Sequence, residues 1–299
     1  MKAIELGRHR IYHADALNLA DVVEPGSAQC CVTSPPYWGL RDYGVEGQIG
    51  LEETPDEYVG RLVDVFRGVR KVLRADGVLM LNLGDSYVQK TKTGAGLKQK
   101  DLVGIPWMVA FALRADGWWL RSEIIWAKPN PIPESVKDRP TKAHEQVFLL
   151  SKSAEYFWDA DAIREKATGA APGNKRAAKY ATAYEVGHEE HRTTQGLERQ
   201  RGGVDLRNAR SVWSISPVPF DGAHFATMPP ELARRCIVAG SRAGDIVCDP
   251  FAGAMTTAVA AHHAGRVFVG TELNAEYVEI GRARLDDATR QATLFECAT

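Results

Sequence analysis

Short apolar runs alternate with one-faced amphipathic segments along most of this chain, a pattern typical of an α/β protein. The apolar or alternating runs predict strands at 10–13, 28–32, 78–83, 121–126, 146–150, 245–249 and 266–270. Amphipathic periodicity predicts helices at 17–23, 54–73 and 105–115, and a further helix that ends at 264. The Ala-Asp-Gly sequence at 75–77 is expected to stop the second helix. We therefore predict an open α/β sheet, in which ligands bind where the strands end.

Hydrophobic periodicity is lost between residues 165 and 210. Nine basic and six acidic residues give this stretch a local charge of +3. We expect an inserted, partly flexible segment here, either a solvated linker or a DNA-binding insert. Residues 88–101 are rich in lysine and form either a mobile basic loop or a loop that contacts phosphates. The stretch at 128–133 contains too many prolines for regular structure.

Composition narrows the class of protein only a little. The net charge of the 299-residue chain is −1, so any surface that attracts nucleic acid has to be local. Five cysteines, at 30, 31, 236, 248 and 297, show neither a CxxC pair nor metal-ligand spacing, which predicts reduced, mostly buried thiols. No apolar run approaches the roughly 18 residues of a membrane span, and the N-terminus lacks a signal-peptide core. We expect a soluble, cytoplasmic protein.

Residues 33–38 read TSPPYW and directly follow the predicted strand at 28–32. Two consecutive prolines lack backbone N–H groups and have a fixed φ, so they hold carbonyl groups rigidly outward at the strand end. The Ser34 hydroxyl, the Pro35 carbonyl and the Tyr37 ring would then offer acceptors beside an aromatic face, which suits the exocyclic amine of a nucleobase. The alternative is a turn that closes a strand, with Tyr37 and Trp38 as core aromatics.

A second motif follows the predicted strand at 245–249. This strand ends on Asp249, the turn DPFAGAMTT leads into a helix, and the next strand is followed by Glu272. A tight turn of small residues lets a ligand approach the backbone, and a carboxylate at the next strand end accepts from ribose hydroxyls. The turn lacks the G-x-G-x-x-G fingerprint, and there is no Walker lysine. A nucleoside cofactor without phosphates fits this pattern better than NAD or ATP.

Together, TSPPYW, DPFAGAMTT and GTELNAEYVEIGRARL resemble the amino-group DNA methyltransferases of the permuted β class, which act on N4 of cytosine or N6 of adenine. The resemblance covers most of the chain outside about 165–210. It implies a Rossmann-like S-adenosylmethionine-dependent methyltransferase fold, with a seven-stranded, mostly parallel sheet and a circularly permuted motif order. Residues 1–87 and 211–299 would form the catalytic and cofactor-binding core. Residues 88–145 would be basic and proline-rich loops beside it, with core strands near 121–126 and 146–150, and 165–210 the target-recognition segment.

The resemblance also implies site residues. The catalytic loop would be Ser34, Pro35, Pro36 and Tyr37. Cofactor-binding residues would be Asp15, Thr33, His224, Pro229, Asp249, Pro250, Phe251, Ala252, Gly253, Thr256, Glu272, Leu273 and Asn274. Candidates for DNA contacts are Trp38, Arg41, Lys90, Lys92, Lys98, Lys128, Lys137, Arg139, Lys175 and Arg176. No metal is expected.

Within the implied cofactor site, Asp15 would lie near the adenine, Glu272 would hold the ribose, and Asp249 would lie close to the amino acid moiety. The chain departs from the family at Met255, where glycine is usual. If this position needs a positive φ, methionine is strained there; if it does not, the side chain would narrow the pocket.

The implied reaction is site-specific transfer of a methyl group to N4 of cytosine in DNA, directly in line and after base flipping, with no covalent intermediate. Serine at the first motif position favours cytosine, whose ring N3 could accept from the Ser34 hydroxyl. Cys30 and Cys31 precede the loop and are interpreted as core residues rather than nucleophiles. The alternatives are an N6-adenine DNA methyltransferase, a protein-glutamine or RNA methyltransferase, and a DNA-binding module without catalysis.

Double-stranded DNA is the expected partner, with a cognate restriction endonuclease as a further possibility. Gln291, Leu294 and Phe295 resemble a peptide that docks on the replication sliding clamp, although a frayed tail is the favoured interpretation. A monomer or homodimer that associates with the nucleoid when bound to DNA is expected.

Overall fold

The computed structural model describes residues 1–88, 96–166, 206–218 and 228–296, with side chains as far as residue 290. The chain separates into two compact units, one made of Met1–Asp159 and Arg210–Thr299, the other of Ala160–Ala209. The roles predicted for the segments of the chain stay predictions.

Among the described residues, the first unit contains one nine-stranded sheet. Its strands are β1 Ala3–Leu6, β2 His9–His13, β3 Ala28–Thr33, β4 Leu73–Leu83, β5 Trp119–Ala127, β6 His144–Ser151, β9 Val212–Ser214, β10 Ile246–Asp249 and β11 Val267–Glu272. Their order across the sheet is β1-β2-β11-β10-β3-β4-β6-β5-β9.

The sheet is mostly parallel, as predicted. Strands β2, β11, β10, β3 and β4 run parallel to one another, whereas β6 is antiparallel to both of its neighbours. The described sheet has nine strands rather than seven because β1 and β9 extend its two edges. β1 reaches its place beside β2 through a tight turn at Gly7, whose φ is +59°. In the centre, every residue of β3 is buried, as expected for a parallel strand covered on both faces.

The helices are α1 Leu19–Val22, α2 Pro55–Val72, α3 Ile105–Ala115, α4 Pro230–Gly240, α5 Thr256–His263 and α6 Ala275–Glu296. Short 3₁₀ turns cover Ala16–Asn18 and Asp161–Ile163. Helix α2 packs against α3, and α5 contacts both α4 and α6. No helix in the described part of the chain is both long and apolar enough to cross a bilayer.

Helix α2 begins as its sequence predicts and ends earlier. Thr54 accepts from the Glu57 N–H over 3.2 Å, and the Glu57 carboxylate accepts from the Thr54 N–H over 3.1 Å, which completes a capping box. The expected stop at 75–77 is wrong: Leu73 already has an extended backbone, with φ −69° and ψ 143°, so β4 follows the helix directly. The strand predicted at 78–83 therefore begins at Leu73.

The core holds the apolar faces of α2 and α3 against the sheet, with fully buried residues such as Leu62, Phe66, Leu79 and Phe148. Four cysteines, Cys30, Cys31, Cys236 and Cys248, are buried free thiols, which confirms the prediction for them. Burial raises the pKa of Cys30 and Cys31, and it raises the pKa of Cys236 to about 12. Buried protonated thiols are inert, so β3 supplies no thiolate nucleophile.

In the second unit, the described residues include a two-stranded antiparallel sheet of β7 Glu165–Lys166 and β8 Leu206–Arg207. The Arg207 guanidinium pairs with the Glu165 carboxylate across it, with Nε to Oε1 at 2.8 Å.

Candidate functional site

The two motifs found in the sequence meet at the ends of neighbouring strands. Strand β3 pairs in parallel with β10, with Cys31 opposite Cys248, so the loops that follow both strands emerge at one edge of the sheet. Thr33, at the end of β3, donates from Oγ1 to Asp249 Oδ1, at the end of β10, over 2.6 Å. This bond joins residues 216 positions apart in the chain.

A cavity of about 330 Å³ lies where these loops meet, a volume typical of small-molecule sites. From the first motif it is lined by Ser34, Pro35, Pro36 and Tyr37. From the second it is lined by Asp249, Pro250, Phe251, Ala252, Gly253 and Thr256, together with Glu272, Leu273 and Asn274 after β11. Ser34 and Phe251 therefore share one cavity.

Asp249 is a buried carboxylate in the cavity wall, with 3% of its surface exposed. Its Oδ1 accepts from the Thr33 hydroxyl and from the Phe251 N–H, the latter over 2.9 Å. Burial raises the pKa of Asp249 from 3.8 to about 6, against the opposing effect of these hydrogen bonds. A cation that enters the cavity, such as the ammonium group of an amino acid, would stabilise the ionised form of this carboxylate.

Glu272 joins the two turns of the second motif. Its Oε2 accepts from the Gly253 N–H over 2.7 Å, and its Oε1 accepts from the Asn274 N–H over 2.8 Å. Burial raises the pKa of Glu272, and the two backbone bonds act in the opposite direction. The carboxylate thereby fixes the backbone of Gly253, which has a positive φ of +49° and lines the cavity.

Met255 adopts the left-handed conformation, with φ 61° and ψ 33°, immediately before α5. Residues other than glycine are strained in this region. The side chain is fully buried and packs against Gly281 of α6, where a Cβ would lie 2.0 Å from Met255 Cγ. Ala254 and Thr256 line the cavity, whereas Met255 lies outside its lining. Of the two alternatives for Met255, the positive φ with a strained backbone is therefore correct, and the side chain does not narrow the pocket.

Asp15 and two tyrosines, Tyr43 and Tyr277, also line the cavity. The Asp15 carboxylate accepts from the Leu17 N–H over 2.9 Å and so caps the short helical turn after β2. Tyr43 and Tyr277 meet edge to face with ring centres 6.1 Å apart. These aromatic faces suit a planar heterocycle.

The proline loop is held in place from two directions. The Pro36 carbonyl accepts from the Tyr58 hydroxyl of α2 over 2.8 Å. The Tyr37 ring lies over Gly84, where a Cβ would be 2.4 Å from the ring atom Cε2. Gly84 thus leaves room for the ring at the end of β4.

Three side chains, those of Ser34, Asn82 and Glu145, surround the Tyr37 hydroxyl, and we call these three residues and Tyr37 the polar cluster. The Tyr37 hydroxyl donates to Glu145 Oε2 over 2.6 Å and lies 3.2 Å from Ser34 Oγ. Asn82 Nδ2 lies 2.9 Å from the Tyr37 oxygen and 2.8 Å from Glu145 Oε2. The Lys128 ammonium pairs with Glu145 Oε1. Burial, reinforced by the Glu145 charge, raises the pKa of Tyr37, so the phenol keeps its proton.

Most of the residues assigned by resemblance come together here, although their roles stay predictions. Thr33 and Pro229 are exceptions in position: Thr33 is fully buried and holds Asp249, and Pro229 is buried at the start of α4. His224 lies outside the described residues. Among the described side chains, no group of three or more His, Cys, Asp and Glu residues is arranged to hold a metal ion.

The residues predicted to contact DNA differ in their exposure and in their side-chain partners. Arg41 is exposed and lines the cavity, and Lys98 and Lys137 are exposed. Arg139 lies 3.7 Å above the Tyr87 ring, and Lys128 is engaged with Glu145. Lys90, Lys92, Lys175 and Arg176 lie outside the described residues.

The assignment of Trp38 to DNA contacts is wrong. Only 3% of its surface is exposed, and its indole N–H donates to the Glu52 carbonyl over 3.0 Å. Trp38 is therefore a core aromatic residue, as expected if the loop were only a turn that closes the strand.

Sequence reasoning missed Asn82, Glu145, Tyr43 and Tyr277. Asn82 carried a signal, since it is the one polar residue in the apolar run VLMLNL of the predicted strand. Glu145 stands at the start of β6, directly before its buried residues, and only the pairing of β6 with β4 brings it to the site.

Residues 28–283 match the N6_N4_Mtase family of DNA methylases. The chain is 43% identical to the Type II methyltransferase M.Cfr9I of Citrobacter freundii, over 94% of this chain and 89% of that protein. It is 45% identical to the Type II methyltransferase M.XycI of Xanthomonas campestris pv. cyanopsidis, over 92% of this chain and 87% of the relative.

Among solved structures, TTHA0409 of Thermus thermophilus, complexed with S-adenosyl-L-methionine, superimposes with a TM-score of 0.61. The two sequences are 25% identical, and the match covers 94% of each chain. The shared fold is thus the Rossmann-like fold of S-adenosylmethionine-dependent methyltransferases. With its family match over most of its length and close relatives among Type II methyltransferases, the chain belongs to the N6_N4_Mtase family of amino-group DNA methylases.

Proposed function

We propose that this protein is a site-specific DNA methyltransferase that transfers a methyl group from S-adenosylmethionine to N4 of cytosine. The observation that carries the proposal is the shared cavity of Ser34 and Phe251. An acceptor suited to an amine and a pocket suited to a nucleoside cofactor lie within one small volume. Transfer between two bound groups requires this proximity.

The cavity has the acceptor groups and apolar faces that S-adenosylmethionine requires. Asp249 is a buried carboxylate suited to the ammonium group of the methionine part, and Glu272 is a second carboxylate suited to the ribose hydroxyls. Phe251, Tyr43 and Tyr277 supply apolar faces for the adenine. The cofactor seen in TTHA0409 supports the same assignment. When bound, S-adenosylmethionine supplies the electrophilic methyl group.

The protein's own part in the reaction is to bind and orient the amine. The lone pair of an exocyclic amine is delocalised into the ring, so the site has to accept its protons and hold the nitrogen pyramidal. In the proposal, Ser34 Oγ and the Pro35 carbonyl accept these hydrogen bonds, and the Tyr37 ring packs against the base. Because these groups line a cavity, the base has to leave the duplex to reach them.

Cytosine is favoured over adenine because the first position of the loop is serine, which the resembling family associates with N4 methylation. An N6-adenine activity is the alternative, since adenine also presents an exocyclic amine. A protein-glutamine or RNA substrate is less favoured, because the matching family model describes DNA methylases and the relatives are Type II methyltransferases.

Recognition of a DNA sequence would fall to residues 165–210 and to the exposed cations Arg41, Lys98 and Lys137. The relatives are Type II methyltransferases, so a restriction endonuclease that cuts the same sequence is the expected functional partner. The clamp-binding hypothesis for Gln291, Leu294 and Phe295 stays a prediction, since their side chains lie outside the described ones.

The test is to express the protein in a host that lacks DNA methylases and to analyse plasmid nucleosides by mass spectrometry. N4-methylcytosine in wild-type plasmid, and none with Ser34→Ala, is the expected result. Ser27→Ala, a change in a surface turn remote from the loop, is the matched control and should leave methylation intact. Methyladenine alone would contradict the cytosine assignment. If labelled methyl groups from S-adenosylmethionine appeared in RNA or protein but not in DNA, the assignment of DNA as the substrate would be overturned.

A further inference from the structure

The hydrogen bonds of the polar cluster have a defined direction. A carboxylate is an acceptor only, so in the 2.6 Å bond between Tyr37 and Glu145 the phenol has to be the donor. The Lys128 ammonium already occupies the other oxygen of Glu145. The single proton of Tyr37 is therefore committed to Glu145, and the raised pKa of Tyr37 keeps it on the phenol.

The orientation of Asn82 agrees with this direction. Its amide places Nδ2 rather than Oδ1 beside Glu145 and Tyr37, as an acceptor-only neighbour demands. The amide keeps this orientation even though no described residue donates to its buried Oδ1. The Tyr37 oxygen thus accepts one hydrogen bond from Asn82 and has one remaining lone pair.

These bonds determine whether the Ser34 hydroxyl donates or accepts. Its Oγ lies 3.2 Å from the Tyr37 oxygen, and since the Tyr37 proton is already used, Ser34 has to donate in this contact. Asn82 Nδ2 also lies 3.3 Å from this Oγ, but its two protons are directed to Glu145 and to the Tyr37 oxygen over shorter distances. Ser34 therefore presents only lone pairs to the cavity that it lines. In this orientation the hydroxyl would not donate to ring N3 of cytosine, which differs from the expectation from the sequence.

We propose that Glu145 is a positioning residue, which acts through Tyr37 to make Ser34 an obligatory acceptor and so to select an amine over a carbonyl at the target base. The selection excludes the deaminated base: uracil presents O4 where cytosine presents its N4 amine, and two acceptors would face each other. Buried polar groups left unpaired in this way are strongly disfavoured. This inference rests on the proposed function.

The test compares binding of cytosine and uracil at the target position. Duplexes that carry either base opposite guanine are titrated by fluorescence anisotropy, with S-adenosylhomocysteine present so that no methyl transfer occurs. We expect wild type to bind the uracil duplex at least about tenfold more weakly. In Glu145→Gln, the amide can donate to the Tyr37 oxygen, which frees the phenol to donate to Ser34 and the serine to donate to O4. The discrimination should fall below about threefold.

The matched control is Glu279→Gln, which neutralises a glutamate paired with Arg282 on the exposed face of α6. It should keep the wild-type discrimination. A uracil-guanine mispair opens more easily than a normal pair, but this affects every variant equally and cancels when discrimination ratios are compared. Tyr37→Phe removes the hydroxyl through which Glu145 acts on Ser34, so it should also lower the discrimination between the cytosine and uracil duplexes. It decides the outcome if Glu145→Gln is unfolded.

Wild-type discrimination in both folded variants would overturn the role of Glu145, and so would a wild type that binds both duplexes equally. Failure of the proposed function has a different signature, since wild type would then leave no methyl mark on the plasmid. If the mark is N6-methyladenine, the same comparison is made with adenine and its deaminated counterpart hypoxanthine. The predicted loss of discrimination in Glu145→Gln is unchanged.

Discussion

Met255 fills the space that a side chain at position 281 would need, because a Cβ on Gly281 would come within 2.0 Å of Met255 Cγ. The strained methionine at the start of α5 and the glycine in the middle of α6 are thus one structural unit. The methionine side chain is accommodated by the neighbouring helix and kept out of the cavity.

Gly281→Ala is expected to destabilise the protein by about 1 to 3 kcal/mol, since the new methyl group has to displace a fully buried side chain. In a Met255→Gly background the same change should cost less than half as much, because the obstructing atoms are gone. Urea unfolding of the four proteins in this cycle measures the coupling. Additive costs would contradict the contact.

Asp249→Asn is expected to leave the hydrogen bonds to Oδ1 intact while it removes a buried charge. The native pKa of about 6 lies above the ordinary 3.8, so the native state holds this proton to higher pH than the unfolded state does. The stability that it contributes is fully present below about pH 3.8 and is lost as pH rises through 6. Relative to Asp249→Asn, wild type should lose on the order of 3 kcal/mol across that window.

Urea unfolding at pH 4, 5 and 8 measures this difference, and parallel stability curves for the two proteins would contradict it. Calorimetry at pH 8 should also show S-adenosylmethionine binding at least about tenfold more weakly to Asp249→Asn, because the cation of the ligand loses its partner. Met255→Gly serves as the comparison, and it should change this affinity less than about threefold.

Glu272→Gln is expected to weaken cofactor binding at least about tenfold. The glutamate accepts from Gly253 with one oxygen and from Asn274 with the other, whereas glutamine offers only one acceptor oxygen. One backbone N–H then loses its partner, and the turn at Gly253 loosens. Calorimetric titration measures the effect. Unchanged affinity would mean that the turn holds its shape without this carboxylate.

Gly84→Ala is expected to lower kcat at least about tenfold with little effect on cofactor affinity. The added methyl group would lie 2.4 Å from the Tyr37 ring, which has to move and take the polar cluster with it. Gly60→Ala on α2, where a Cβ meets nothing within 4 Å, is the matched control and should retain full activity. Equal turnover by both variants would show that the ring position is unimportant.

The parts of the site contained in contiguous motifs could be predicted from the sequence. TSPPYW and DPFAG each combine a strand end with the residues that project from it, so local pattern was enough to place Ser34 and Asp249 at a sheet edge. Glu145 could not be found in this way, because its approach to Tyr37 depends on the antiparallel register of β6 on β4, with Gln146 opposite Leu83. Hydrophobic pattern does not specify that register.

The errors have a similar origin. Trp38 is next to Tyr37 in sequence, yet its indole turns to the Glu52 carbonyl in a loop that has no periodicity to interpret. The helix boundary at Val72 was missed because Leu73 is apolar and continues the helical pattern, although its backbone is extended.

The bond between Thr33 and Asp249 has a consequence for the time at which the enzyme first exists in the cell. The proline loop after β3 emerges from the ribosome long before the turn after β10, since 216 positions separate Thr33 from Asp249. A nascent chain that ends between them therefore holds only one of the two motifs that line the cavity. In the proposed function, methyl transfer has to wait until both motifs have been synthesised, and separately expressed halves should be silent until they reassemble.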